Sequence, residues 1–284
     1  NGIGGFADGG REYVMGIDDS HQTPAPWCNV MANASFGSLV SERGSSYTWS
    51  QNSQSHRLTP WSNDAVSDPS GELFFVRDDE TLAAWSPTPA PLAMGRSFEV
   101  RHGQGATTFV HEHDGLAHEL VMFVDAVDPV KVSRLRLTNT GSRARRLTIF
   151  GVVEWVLGTS REAARVTVVT DWLPDAQAVV AQNPFSNFPD RRAFFGVTGD
   201  GATFTCDRQE VFGLGSSRSA AAMLDREKLE GAVGAGLDPC AAISIAITLF
   251  PGETKDVAFV LGDANDLSRA RELLLHLRQP GRVD

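Results

Sequence analysis

Hydrophobic residues along this chain recur mostly with a period of two. They fall in short runs cut by turn residues, as half-buried antiparallel strands require. Val130–Asn139 shows the pattern, with Val130, Val132, Leu135 and Leu137 interrupted by Lys131, Ser133, Arg134 and Arg136. Glu72–Arg77 is short, aromatic-rich and bounded by turn residues. The same criteria predict strands at Phe98–Arg101, Ala106–Glu112, Glu119–Val124, Arg146–Leu157, Arg165–Thr170, Ala178–Gln182, Ala193–Thr198, Ala202–Cys206, Ala241–Leu249 and Lys255–Leu261. Turns are marked at Asp125–Pro129, Thr140–Arg143 and Pro251–Glu253. A dozen strands and few helix candidates predict a mainly β chain, a large antiparallel β-sandwich.

A helical period occurs in two places. Ser219–Glu230 is expected to form a short helix. In Asn265–Arg278, Asp266 is placed to cap, and Leu267, Ala270, Leu273, Leu274 and Leu277 share one face. That helix follows the last predicted strand and reads as a linker into a following domain. No internal repeat or composition break divides the rest, so one domain is expected over residues 1–264, with 265–284 beginning the linker.

Between Thr23 and Glu72 the periodic pattern lapses, and the run reads as a long irregular loop. It holds Trp27, Tyr47, Trp49 and Trp61, four of the chain's eight Trp and Tyr residues, among Asn29, Asn33, Asn52, Arg57, Asn63 and Asp64. Flat aromatic faces beside amide, guanidinium and carboxylate groups suit a sugar, which offers apolar C–H faces and a rim of hydroxyls. The competing reading is packing alone, since an irregular loop needs buried aromatics and turn formers to order itself. Long ordered loops are more often functional.

Composition narrows the choices. The net charge of −10 argues against a nucleic-acid footprint or a basic membrane-binding face. No run of apolar residues is long enough to span a bilayer, and no signal-peptide pattern is visible. Cys28, Cys206 and Cys240 are odd in number and widely spaced, with no CxxC, so a reducing, cytoplasmic setting and small buried thiols are expected. The chain opens without Met and ends partway through a Leu-rich segment, which reads as a piece of a longer polypeptide.

The densest titratable group is His111-Glu112-His113-Asp114, followed by His118 and Glu119. It is not HExxH, and on a strand His111 and His113 face one way and Glu112 the other. The simplest reading is the polar face of an exposed strand or turn; recognition of sugar hydroxyls and a metal site compete with it. Gly2-x-Gly4-Gly5 and Gly213-x-Gly215 lack the context of phosphate loops. Arg143, Arg145 and Arg146 read as solvated, and Asp78–Glu80 as a charged turn. No Gly-x-Ser-x-Gly elbow is present, and a carboxylate pair for glycosidic cleavage is not identifiable from spacing.

Several segments together resemble one family. They are the opening Asn1–Tyr13, then TPAPW, FGSLVSE, YTW, RLTPWSND and SDPSGE. WSPTPAP, HEHDG, DPVK, EWVLG, NPF, DPCAA and FPGETKDVAFVLG follow. The combination resembles the phosphorylase region of cyclic β-1,2-glucan synthases, grouped with cellobiose and chitobiose phosphorylases in glycoside hydrolase family 94. The likeness covers nearly the whole chain. Gln54-Ser55-His56 departs from the charged residues that related sequences often carry there, so nothing is carried over to those positions.

The resemblance implies an N-terminal super-β-sandwich, galactose mutarotase-like in architecture, with a C-terminal linker helix and then an (α/α)6 catalytic barrel. The implied chemistry is inverting phosphorolysis, in which a barrel Asp protonates the glycosidic oxygen while inorganic phosphate attacks the anomeric carbon. The general acid is then expected beyond Asp284. No catalytic residue, metal or resident cofactor is expected in this chain, and inorganic phosphate is the co-substrate of the parent enzyme. Tyr47, Trp49, Asn52, Arg57, Trp61, Asn63 and Asp64 are the candidate substrate-binding residues. The expected partners are a β-linked glucan, the barrel of the same polypeptide and a second copy in a homodimer. The parent is expected in the cytoplasm, held at the inner membrane by segments outside this chain.

Two other functions compete with a sugar-binding accessory domain. One is a free-standing sugar mutarotase, using His111, His113 and Glu112 for ring opening. The other is a structural or dimerisation module without sugar contact.

Overall fold

The computed structural model describes residues 2–92, 95–214 and 218–283, so Asn1, Gly215 and Asp284 lie outside the described residues. The chain begins with β1 (Gly4–Ala7), β2 (Glu12–Ile17), β3 (Cys28–Ala32), β4 (Phe36–Ser41) and β5 (Ser46–Ser50). It continues through β6 (Glu72–Asp78), β7 (Ala84–Trp85), β8 (Phe98–Gly103), β9 (Ala106–His113), β10 (Leu116–Val124), β11 (Val130–Asn139) and β12 (Arg145–Glu154). After the short helix α1 (Arg161–Ala164) come β13 (Val169–Leu173), β14 (Ala178–Gln182), β15 (Arg192–Val197) and β16 (Thr203–Asp207). Helix α2 (Arg208–Phe212), β17 (Pro239–Leu249), β18 (Thr254–Ala264) and α3 (Leu267–Leu277) complete it.

Ten strands form one sheet in the order β1-β2-β8-β9-β10-β11-β18-β15-β14-β13. Five form a second, β16-β17-β12-β6-β7, and β3-β4-β5 form a third. Neighbouring strands pair antiparallel; the longest ladders join β12 to β17, β10 to β11 and β11 to β18. The main core lies between the first two sheets, where Phe109, Leu120 and Leu135 of the large sheet meet Phe74, Ile149 and Ile243 of the smaller. A second core lies on the outer side of the large sheet, where Ala270, Leu273, Leu274 and Leu277 of α3 cover Val130, Val180, Phe194 and Val260. A third lies outside the five-stranded sheet, where Val211, Phe212, Met223 and Leu224 cover Leu73, Phe75 and Phe150.

The predicted strands from Glu72 onward are present, with shifts of a few residues at their ends, except that most of Arg165–Thr170 is a turn after α1 and the strand there begins only at Val169. β11 shows why the alternation was imperfect. Val130 and Val132 point outward under α3, whereas Leu135 and Leu137 point into the main core. Both faces of the strand's first half are covered, so Lys131 is forced inward. It is 1% exposed and pairs with the equally buried Glu72 at 2.7 Å.

Three expectations need correction. The Thr23–Glu72 run is not irregular throughout, because β3, β4 and β5 lie within it. On the inward face of β4 and β5, Ser38, Ser46, Thr48 and Ser50 stand buried beside Phe36 and Val40, so the apolar alternation is broken. Most of the buried hydroxyls bond within the protein: Thr48 donates to Glu72 at 2.6 Å, and Ser41, on the other face of β4, donates to Asp68 at 2.6 Å, while among the described residues the Ser50 hydroxyl has no partner. Ser219–Glu230 is not a helix but contains parts of two 3-10 turns followed by irregular chain. Arg77 takes the carbonyls of Leu224 and Arg226, which holds that segment in a non-helical path. Finally, Arg145 and Asp78 are buried partners at 2.8 Å, not a solvated cation and a surface turn.

Candidate functional site

Tyr47 and Trp49 alternate along β5, and Trp61 follows in the segment after Pro60. The Tyr47 ring lies 5.2 Å from Trp49 and 5.9 Å from Trp61, both tilted, and the Arg57 guanidinium sits 5.9 Å above Tyr47. Gly37 of β4 pairs with Trp49 across the small sheet, and a Cβ there would lie 2.3 Å from the indole. The missing side chain therefore gives Trp49 its seat. Tyr47 donates its hydroxyl to Ser53 O, and Arg57 Nε donates to the same carbonyl at 3.3 Å. Burial pushes the Tyr47 phenol up, with the Arg57 charge opposing it in part.

The segment between Trp49 and Trp61 is held at both ends. Arg57 bridges Trp49 on one side and Gly158 on the other through backbone pairing. The preceding His56 is buried, packs at a tilt against Phe188 with ring centroids 4.6 Å apart, and meets the Asp263 carboxylate at 3.3 Å. Arg191 binds the same carboxylate, so the turn is tied to the end of β18.

Two clefts open on either side of Trp61. The first, of about 370 Å³, is lined by Tyr47, Trp61, Asn63, Asp64 and Asp68, with Ser45 and Ser46 at its wall. Ser46 links it to the buried charge pair, since the Lys131 ammonium donates to its hydroxyl. Burial pushes the Glu72 carboxyl up, but the Lys131 ammonium and the Thr48 and Thr59 hydroxyls outweigh this and hold it below its usual value. The second cleft, of about 430 Å³, is lined by Arg57, Trp61, Glu154, Arg161, Glu162 and Arg218, among others. Glu154 is 2% exposed and holds Arg218 at 2.7 Å, Arg208 at 3.1 Å and Arg161 at 3.3 Å.

Of the seven predicted binding residues, Tyr47, Trp61, Asn63 and Asp64 line the first cleft, and Arg57 and Trp61 the second. Trp49 stands behind Tyr47 and lines neither. Asn52 is a turn former whose side-chain oxygen accepts from the backbone of Gln54 and Ser55 at 2.9 and 2.8 Å. Asp64 similarly accepts from Val66 and Ser67, and the Ser67 hydroxyl, with those amides, holds its carboxyl below the ordinary value. Asn29 and Asn33 are structural: their amides donate to Gly103, Ala106, Asp125 and Asp128 carbonyls, fastening the small sheet to the large one. Glu154, Arg161 and Arg218 were not singled out from sequence. Glu154 opens the EWVLG segment, but its partners lie from 7 to 64 residues away and have no local signature. Cys206 and Cys240 are buried, as expected, whereas Cys28 is exposed at the first cleft.

The family of the glycosyl hydrolase 94 supersandwich domain matches residues 11–280. This chain belongs to that family. It is 40% identical over 282 residues to cyclic beta-(1,2)-glucan synthase NdvB of Rhizobium meliloti, covering 98% of this chain and 10% of the synthase. It is 24% identical over 270 residues to N,N'-diacetylchitobiose phosphorylase of Vibrio furnissii, covering 91% of this chain and 33% of that enzyme. The supersandwich chain thus spans a tenth to a third of these relatives. Among solved structures, a GalM/aldose epimerase homologue from C. elegans superposes with a TM-score of 0.52 at 9% identity, covering 85% of this chain and all of the homologue. A bacterial glucoamylase complexed with acarbose gives 0.53 at 8% identity, covering 94% of this chain and 38% of the glucoamylase. At these identities the likeness establishes a galactose mutarotase-like fold.

Within this supersandwich the histidine group is not an exposed polar face. His111 and His118 are 4% and 1% exposed, and their rings stack at 4.2 Å between the sheets. Trp85 donates to His118 Nε2 at 2.9 Å, and Arg96 donates to His113 Nε2 at 2.9 Å. Glu112 lies on the opposite, exposed face of β9, so the strand does not bring it together with His111 and His113. Among the described residues, no group of three or more His, Cys, Asp or Glu is arranged to hold a metal ion.

Proposed function

We propose that this chain is the sugar-holding, non-catalytic part of a β-glucan-processing enzyme. One observation carries this reading: Tyr47 and Trp61 stand 5.9 Å apart along a cleft edged by Asn63, Asp64 and Asp68. Aromatic faces accept the C–H side of a glucosyl unit, and the amide and carboxylates bond its hydroxyls. The kinship with a β-1,2-glucan synthase supports a β-1,2-linked glucan as the ligand. The candidates for acid catalysis here are poorly suited to it. Asp64 is held ionised by its own turn, and Glu72 is locked to Lys131. The general acid is proposed to lie in a barrel elsewhere in the parent polypeptide, with inorganic phosphate as co-substrate and α3 beginning the connection.

Titration with β-1,2-glucooligosaccharides tests this. Tryptophan fluorescence is expected to shift on addition, and Trp61→Ala is expected to remove the shift while leaving the fold intact by circular dichroism. A flat titration, or a shift unaltered in Trp61→Ala, rejects the site.

A further inference from the structure

The loop after β14 carries an exposed ring on a firmly held turn. Phe185, the last residue of the NPF segment, is 84% exposed. The Asn183 amide donates to Leu157 O at 3.0 Å, and its side-chain oxygen accepts from Phe185 N at 3.2 Å. The Ser186 hydroxyl accepts from Phe188 N at 3.1 Å, and Phe188 packs against the buried His56. A single exposed apolar residue needs no explanation by itself. The place of this one does. Phe185 lines a third cleft, of about 210 Å³, together with Ser55, Thr159, Thr167, Asn183 and Asn187, and among the described residues no charged side chain lines it.

Thr159 also lines the second cleft, just as Trp61 lines both the first and the second. The three clefts therefore lie in series, with Tyr47 and Trp61 toward one end and Phe185 at the other. Backbone pairing of Arg57 with Gly158, at 3.0 Å, fixes the junction between Ser55 on one side and Thr159 on the other. We propose that Phe185 is a second sugar-stacking residue and that the ligand of this groove is an extended glucan chain, longer than a disaccharide. The inference rests on the sugar-holding reading above, because the chain reaches Phe185 from the Trp61 cleft. Uncharged hydroxyls and amides beside one flat ring suit a neutral glucosyl unit, whose C–H face meets the ring and whose hydroxyls meet the rim. A second aromatic contact at the far end adds nothing for a ligand confined to the first cleft. It strengthens only a ligand long enough to touch both.

Calorimetric titration of the chain with β-1,2-glucooligosaccharides of increasing length tests the proposal. Affinity is expected to go on rising beyond the disaccharide. Phe185→Ala is expected to weaken the longer oligomers about three- to tenfold, the worth of one aromatic contact, and to leave the disaccharide unchanged. Phe185→Trp should keep the gain, and Phe185→Leu should lose it, because the sugar meets a flat face and not apolar area alone. The side chain is exposed, so circular dichroism should be the same in all three variants. An affinity that stops rising at the disaccharide, or long-oligomer binding unaltered in Phe185→Ala, overturns the proposal and leaves the Trp61 site standing. Full retention in Phe185→Leu also overturns it, by marking Phe185 as a plain apolar contact. Failure of every oligosaccharide to bind rejects the Trp61 site and this extension together.

Discussion

His111 shows what burial does to a single side chain. Neither of its ring nitrogens has a hydrogen-bond partner, and its ring lies between Phe98 at 4.4 Å and His118 at 4.2 Å. Burial, with the Arg96 and His113 charges adding to it, pushes its pKa down to about 3. Burial and the neighbouring His111 also drive His118 well below the ordinary value of 6.5. Both are neutral in the folded protein, and His118 carries its proton on Nδ1, facing the Leu116 carbonyl at 3.0 Å. The unfolded chain therefore binds more protons once the pH falls below 6.5. Stability is full above that value and declines as the pH drops toward the folded pKa, by up to about 1.4 kcal/mol per unit for each histidine. Urea unfolding at stepped pH should show a midpoint that falls below pH 6.5 and a shallower fall in His111→Phe; equal slopes would refute the assignment. From sequence, the period of two correctly placed His111 and His113 on one face. It did not say which face, because an imidazole fits either side and only the partner sheet decides.

The elements of the small sheet hold the aromatic groups in place. Gly37 lies opposite Trp49 in the β4–β5 ladder, where any Cβ would strike the indole. Gly37→Ala is expected to displace Trp49, loosen its contact with Tyr47 and cost about 1–3 kcal/mol, as overpacking does. Denaturation will read the loss of stability, and the glucan titration should weaken in the same variant. An unchanged titration would show that Trp49 does not support the Tyr47 ring. This sheet was the least legible part of the chain. Its inward Ser and Thr positions carry hydrogen bonds where an apolar pattern would have announced a strand. Helix α3 was largely legible: Asp266 caps it by accepting from Arg269 N at 2.8 Å, and Ala270, Leu273, Leu274 and Leu277 form the buried face, although Leu267, expected on the same face, is exposed. The stripe did not reveal where the helix docks, which depends on Val130, Phe194 and Val260 far away in sequence.

At the scale of the whole molecule, the two main sheets form a rigid support and the Thr23–Glu72 run lies across them. Asn29 and Asn33 bolt the run to the large sheet, Glu72 and Lys131 join it to the core, and His56 ties it to Asp263. The sandwich could be read from the strands after Glu72, and the candidate site from its aromatic residues. The second cleft could not, because it forms where residues 57–69 meet residues 154–162 and Arg218. The central claim is that this assembly holds a glucan without cleaving it. One NMR sample containing the chain, a β-1,2-glucooligosaccharide and inorganic phosphate tests this directly. Saturating the aromatic protons should transfer magnetisation to the sugar C–H protons, while no hexose phosphate accumulates. Absence of transfer, or the appearance of a hexose phosphate, would contradict the account.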